Sequence, residues 1–197
     1  MTKIFLILYL VLFYGIAFLW RSYQTFRATG INPYRLNDGN NVHRFAGKWY
    51  RVISLGIVST ILLYVFLEQI YFYLTPIKWL EHPMVSGIGF VILFASFLVV
   101  VIAQVQMGIS WRIGIDEDNP SELITGGIFQ ISRNPIFLGM RLSVFGLFLV
   151  LPNALTFTLW LIGDILLQIQ VFLEEEYLIG THNENYKTYY QKVKRWI

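Results

Sequence analysis

The sequence predicts an all-α, polytopic membrane protein with about five transmembrane helices. Three observations carry that prediction. Hydrophobic residues make up 56% of the chain and charged residues only 14%, with a mean hydropathy of +0.56, whereas soluble domains carry roughly 25% charged residues. Apolar runs of the length needed to cross a bilayer recur along the chain. Lys and Arg, finally, crowd into a few connecting segments.

The first apolar run covers residues 4–20. Only Lys3 precedes it as a charge, and it ends in Leu19-Trp20-Arg21 with no small-residue cleavage site, so it reads as a retained helix and not a signal peptide. Residues 52–74 and 85–107 form the second and third runs. Residues 136–151 and 154–173 form a hairpin about Pro152-Asn153. The fourth run is short, about 24 Å at about 1.5 Å per residue, and is expected to start in the interface. Between the runs, residues 23–47 are rich in Gly, Asn and Pro and are expected to be mostly loop, with turns at Asn32-Pro33 and Asp38-Gly39. Residues 108–135 are expected to form a cytosolic loop, with Trp111 and Arg112 as an interfacial anchor. In the tail, Tyr186, Tyr189, Tyr190, Val193 and Trp196 recur at helical intervals beside basic residues, the pattern of an interfacial helix.

Cation placement sets the expected orientation. Arg21, Arg27, Arg35, Arg44, Lys48 and Arg51 lie in the first long loop, and Lys187, Lys192, Lys194 and Arg195 in the tail; the other side has Lys3 and Lys78. Positive charge favours the cytoplasmic side, which puts the N-terminus outside, the C-terminus inside and the number of spans odd. The net charge of +3 follows from this topology and gives no case for nucleic acid. The absence of cysteine excludes disulfide and thiol chemistry. His43, His82 and His182 are too scattered for a metal site, and no phosphate-binding loop, dinucleotide fingerprint or nucleophile elbow occurs.

Two polar groups remain, and the hairpin brings them together. Asn134 lies about 18 residues before the Pro152-Asn153 turn and Glu174 about 21 after it, so "RNP" at 133–135 and the three Glu at 174–176 are expected to face each other at one membrane face. Each has an ordinary reading. Asn134-Pro135 makes a good helix start, Arg133 can snorkel to phosphates, and the Glu run can be a solvated helix end, although acids there oppose the macrodipole. Deeper in the hairpin, Arg141 and Asp164 each fall about 17 Å from the turn, at matching depth, and are expected to pair. The alternative has Arg141 snorkelling toward the cytoplasm and contacting the cofactor or acceptor instead.

"LITGGIFQISRNPIFLG" followed by "EEEYLIGTHNENYKTYYQKVKRWI" resembles the C-terminal half of the isoprenylcysteine carboxyl methyltransferase family and the related phospholipid methyltransferases. The resemblance implies one integral membrane methyltransferase domain over residues 1–197, with three N-terminal spans in 1–107 and a cofactor-binding core in 108–197. It implies S-adenosylmethionine as cofactor, a lipid-like or membrane-embedded acceptor such as a carboxylate, the bilayer itself as partner, and a site facing the cytoplasm. Carried over by position, Ser121, Glu122, Leu123, Ile124, Gly127 and Phe129 line the cofactor pocket. Asn134, Pro135, Ile136 and Phe137 form its wall, and Glu174 or Glu175 holds a polar group of the cofactor. Arg133, Gln170 and Glu174 are the candidates for catalysis. Asn134 stands where the family has His, Phe129 and Phe137 where it has Tyr, Asn183 where it has Gly, and Gln170 where it has an Arg that contacts substrate. The physical chemistry agrees: a helix start at Asn134-Pro135 offers free amides to a carboxylate, and a Glu can pair with an ammonium or with ribose hydroxyls. A non-catalytic scaffold or transporter subunit, and an NADPH-dependent membrane reductase of related architecture, are the competing readings.

Overall fold

A computed structural model describes residues 1–35, 41–116 and 119–197, and among these no strand occurs. Helix α1 (Thr2–Leu12) passes through a wider π-helical segment (Phe13–Trp20) into α2 (Arg21–Thr29). Helix α3 covers Asn41–Phe66, a short α4 Glu68–Tyr71, α5 Pro83–Met107, α6 Pro135–Val150 and α7 Ala154–Lys192. Four helical stretches are long and apolar enough to cross a membrane: Thr2–Thr29, Arg44–Phe66, Pro83–Ser110 and Ala154–Lys192. The fifth, Pro135–Val150, is the short one that the sequence predicts. Helices suit this setting because each backbone N–H finds its carbonyl within the same segment.

The first two spans differ from expectation. Much of residues 23–47 is helical, and the second span starts well before residue 52 and ends at Phe66, where Leu67 leaves helical geometry (φ −134°, ψ 58°). Polar side chains at a helix end lengthen the helix beyond the apolar run without altering hydropathy, so the run alone underestimates it. At Asn32-Pro33 the expected turn is present, with the Tyr34 amide donating to Asn32 Oδ1 at 3.0 Å. The Asp38-Gly39 turn lies outside the described residues.

α5 and α6 are packed most closely. Gly89, Ser96 and Ala103 are buried at seven-residue intervals on α5, facing Gly139, Ser143 and Gly146 on α6. A Cβ on Gly139 would lie 2.5 Å from Val100 Cγ2, and one on Gly89 would lie 2.9 Å from the Gly146 carbonyl oxygen. Small residues of this kind let membrane helices approach backbone to backbone. Tyr9 on α1 reaches the seam, donating to Ser143 Oγ at 2.8 Å and lying 3.1 Å from Ser96 Oγ. Within the π-helical segment the Ala17 carbonyl accepts from Gln104 Nε2 of α5 at 2.6 Å.

The hairpin turn is closed by its own side chains. Asn153 Oδ1 accepts from the Thr156 amide at 2.9 Å, and Thr156 Oγ1 accepts from the Asn153 amide at 3.2 Å, a reciprocal cap with Asn153 wholly buried. Farther down the hairpin, Arg141 Nε donates to Asp164 Oδ1 at 2.5 Å, while Gln168 Nε2 donates to Asp164 Oδ2 at 2.7 Å. The expected pair therefore forms. Trp196 packs its ring on the Arg141 guanidinium, 4.3 Å away, which the snorkelling alternative does not provide.

The expected tail helix is present: a kink at Asn183 separates it from the membrane-spanning part of α7, and it runs on to Lys192. Asn183 makes the break with a positive φ of +46°, and Asn tolerates positive φ better than most residues. Past the kink the aromatic face turns inward: Tyr186 and Tyr189 are buried against the α5–α6 core. Trp111 is likewise buried in that core and does not act as an interfacial anchor.

Candidate active site

The bundle end that carries residues 21–35, 108–135 and the tail holds two cavities, and they share a wall. The smaller, about 80 Å³, is lined by Ser121, Glu122, Leu123, Ile124, Phe129, Arg133, Asn134, Pro135, Ile136 and Phe137, with Met107, Glu174, Leu178, Tyr186 and Tyr189. The larger, about 500 Å³, opens between α1 and α3 on one side and α6 and α7 on the other. Its lining runs from Tyr50 to Ile61 along α3, about 16 Å of helix. Met107, Ile136, Phe137 and Glu174 line both.

The corner beside the small cavity is held by Glu175, not Glu174. Glu175 is 3% exposed. Its Oε1 accepts from Arg133 Nη2 at 3.0 Å, Arg133 Nε at 3.1 Å and Asn134 Nδ2 at 3.0 Å, and its Oε2 accepts from Arg195 Nη2 at 2.7 Å and Nε at 3.1 Å. Arg133 Nη1 also donates to the carbonyls of Tyr190 and Val193, and its guanidinium lies 3.8 Å from the Tyr190 ring. The strand-like end of the tail is tied to the same corner, as the Arg133 amide donates to the Lys194 carbonyl and Ser132 Oγ to that of Arg195. Hydrogen bonds to Glu175 hold the Arg195 guanidinium above its ordinary pKa. A buried carboxylate is tolerated only when paired and hydrogen-bonded in this way.

This network decides what is left open to a ligand. Asn134 occupies the N-cap position of α6, but its side chain turns to Glu175 and does not cap the helix. Pro135 has no N–H, and the next amides, of Ile136 and Phe137, belong to residues lining the small cavity. Glu174, one residue from the hub, has neither an ion pair nor a hydrogen bond among the described residues. Gln170, a turn earlier, is 3% exposed and lines the large cavity only.

Of the site residues expected from the sequence, Ser121, Glu122, Leu123, Ile124, Phe129, Asn134, Pro135, Ile136, Phe137 and Glu174 converge on the small cavity. Glu175 and Gly127 line neither cavity. Gly127, at φ +62°, lies where a Cβ would strike the Gln106 side chain, which accepts from the Ile128 amide at 2.8 Å; its glycine serves that loop contact. Sequence reasoning missed Arg195, the inward turn of Tyr186 and Tyr189, and the contribution of α1 and α3. For Arg195 the only signal was a basic tail, which topology already explained.

A family model described as phospholipid methyltransferase matches residues 84–185. No curated protein and no solved structure matches the chain. The matched stretch covers just over half of the 197 residues, from the start of α5 through the hairpin to the kinked part of α7. It thus includes the close-packed seam, the shared wall and Arg133, Asn134 and Glu175 of the hub, though not Arg195, and the chain belongs to the phospholipid methyltransferase family of membrane proteins.

Proposed function

We propose that the protein transfers a methyl group from S-adenosylmethionine to a membrane-embedded acceptor, with the donor in the small cavity and the acceptor in the large one. The observation that carries this reading is the wall of Met107, Ile136, Phe137 and Glu174 common to a small polar-edged cavity and a long apolar one. Bound there, the donor supplies an electrophilic methyl on a sulfonium. The chain's own residues fit its remaining parts: the α6 start for the carboxylate, Glu122 at the exposed rim for the ammonium, and Phe129, Tyr186 and Tyr189 for the adenine. At about 80 Å³ the small cavity is below the roughly 300 Å³ of typical ligand pockets, so binding must widen it. Residues 120–125 make no hydrogen bond to the rest among the described residues and are the segment that gives way.

Arg133, Asn134 and Arg195 then position the corner through Glu175 and do not touch the acceptor, while Gln170 and Glu174 face it. Transfer depends chiefly on alignment and exclusion of water, for which an apolar cavity ending at the donor is suited. In this reading 108–197 form the cofactor-binding core and 1–107 complete the acceptor cavity, the whole acting as one domain with its site toward the cytoplasm. Calorimetry with S-adenosylhomocysteine tests this. Saturable binding is expected; no heat up to millimolar ligand overturns it, and binding of NADPH in its place moves the protein to the reductase reading.

A further inference from the structure

Resting on the acceptor role proposed for the large cavity, we infer that the acceptor enters it sideways, between the first span and α3, and that Arg51 at this mouth holds a phosphate in the acceptor's headgroup. Among the described residues that line the cavity, Leu19, Tyr34 and Arg51 are the exposed ones. They mark the opening: Leu19 on the first span, Arg51 on α3, and Tyr34 on the segment that follows α2. Tyr34 is fixed there by backbone bonds on either side of it. The Ile113 amide donates to the Pro33 carbonyl at 2.8 Å, and the Arg35 amide to the Ile113 carbonyl at 2.9 Å. The Tyr34 hydroxyl accepts from Arg51 Nε at 3.0 Å, and the guanidinium lies 5.7 Å from the Tyr34 ring. Arg51 is seven residues inside the apolar stretch Arg44–Phe66, and a charge so placed is costly and usually functional.

The charges at this end favour an anion. Arg112, the other cation of the lining, pairs with Asp116 at 3.5 Å, and Arg35 pairs with the same carboxylate at 3.3 Å. One carboxylate between two guanidiniums leaves this end positive among the described residues, and a positive mouth draws anions. The position of Arg51 along the cavity then selects the kind of anion. α3 and α7 run antiparallel: the Tyr50 hydroxyl donates to the Leu166 carbonyl at 3.2 Å, and a Cβ on Gly56 would lie 2.8 Å from Leu159 Cδ2. Arg51 therefore joins the cavity near the level of Leu166. Glu174, on the wall shared with the small cavity, is eight residues or about 12 Å of helix closer to the tail, and it pairs with neither arginine. On the other side of Arg51 the α3 lining is the apolar series Ile53, Ile57 and Ile61. An anion at Arg51 thus lies between hydrocarbon and the reacting group. A fatty carboxylate ends its chain and has no further group to present to the shared wall. A phosphodiester sits inside its molecule, with acyl chains on one side and the rest of the headgroup on the other. Its two unesterified oxygens also match the planar fork of a guanidinium. The family match starts at residue 84 and does not include Arg51.

Native mass spectrometry in detergent tests this. Dioleoylphosphatidylethanolamine, dioleoylphosphatidylglycerol, dioleoylglycerol and oleic acid are each titrated against wild type, Arg51→Gln and Arg51→Lys. Wild type is expected to bind the two phosphodiesters alike, and at least about tenfold (about 1.4 kcal/mol) more tightly than dioleoylglycerol. Arg51→Gln should abolish that preference and Arg51→Lys keep part of it. Dioleoylglycerol affinity and Tm, which report the cavity and the fold, should stay unchanged. Equal binding of dioleoylglycerol and the phosphodiesters by wild type overturns the inference, a result that needs no variant. A preference that survives Arg51→Gln also overturns it and leaves Arg51 an ordinary snorkelling residue. So does oleic acid bound as tightly as the phosphodiesters and equally sensitive to Arg51→Gln, or displacement of the lipids by millimolar glycerol 3-phosphate, which marks a site for free phosphate. Loss of dioleoylglycerol binding in step with the phosphodiesters makes Arg51 a structural residue and overturns it as well. These titrations contain no S-adenosylhomocysteine, so their failure leaves the methyltransferase reading standing, and a failed calorimetric titration leaves Arg51 as a phosphate site for lipids.

Discussion

The two flanks of the large cavity are built differently. On one side α6 is seated on α5 through glycine, serine and alanine, backbone against backbone, and α7 is joined to α6 by a capped turn, a mid-hairpin ion pair and the Glu175 hub. On the other, α1 and α3 contribute side chains to the cavity lining, and a Cβ built on Gly15 of the first span meets nothing within 4 Å. One flank is over-determined and holds the shared wall still. The other leaves room around Gly15, although α3 still packs closely on α7 at Gly56, where a Cβ would lie 2.8 Å from Leu159 Cδ2. Within the family match, which starts at residue 84, lies the first flank alone.

Removing the hub on the rigid flank is expected to cost most. Glu175→Ala leaves Arg133, Asn134 and Arg195 without their shared acceptor, and breaking a buried pair from one side typically costs about 3–5 kcal/mol. Thermal unfolding in detergent should show a markedly lowered Tm, and S-adenosylhomocysteine binding should weaken along with it. An unchanged Tm would mean the corner does not tie the tail to the hairpin. A smaller loss is expected at the seam, where Gly139→Val places a branched side chain into a contact already 2.5 Å from Val100 Cγ2; overpacking of this kind costs about 1–3 kcal/mol. The loose flank supplies the smallest effect. Gly15→Ala meets no neighbour, and its Tm should move by less than about 0.5 kcal/mol equivalent. If Gly15→Ala proves as damaging as Gly139→Val, the contrast between the flanks is wrong.

The same contrast explains what the sequence made legible. Apolar runs marked the spans, and counting outward from Pro152-Asn153 brought both "RNP" to the Glu run and Arg141 to Asp164. Counting gives depth but not rotation. Successive residues of a helix point about 100° apart, so a run of three Glu leaves open which one turns to Arg133 and which to the cavity. Glu175 took the first role and Glu174 the second. Nor did hydropathy reveal that Tyr9, Phe13 and Ile57 line a cavity, because in a membrane span the face toward lipid and the face toward protein are equally apolar. Soluble helices betray their inner face by contrast with a polar outer one; these do not.

The pairing of Arg141 with Asp164 bears on how the hairpin enters the bilayer at all. α6 has 16 residues, fewer than the roughly 20 a lone span needs, and a central Arg adds about 2.5–3.5 kcal/mol to the cost of its insertion. Across the Asn153 turn, Asp164 stands ready to neutralise it and Gln168 to share the load. The unit that partitions into the membrane is accordingly the hairpin, two helices delivered with their charges already cancelled, while α6 alone would stay at the surface.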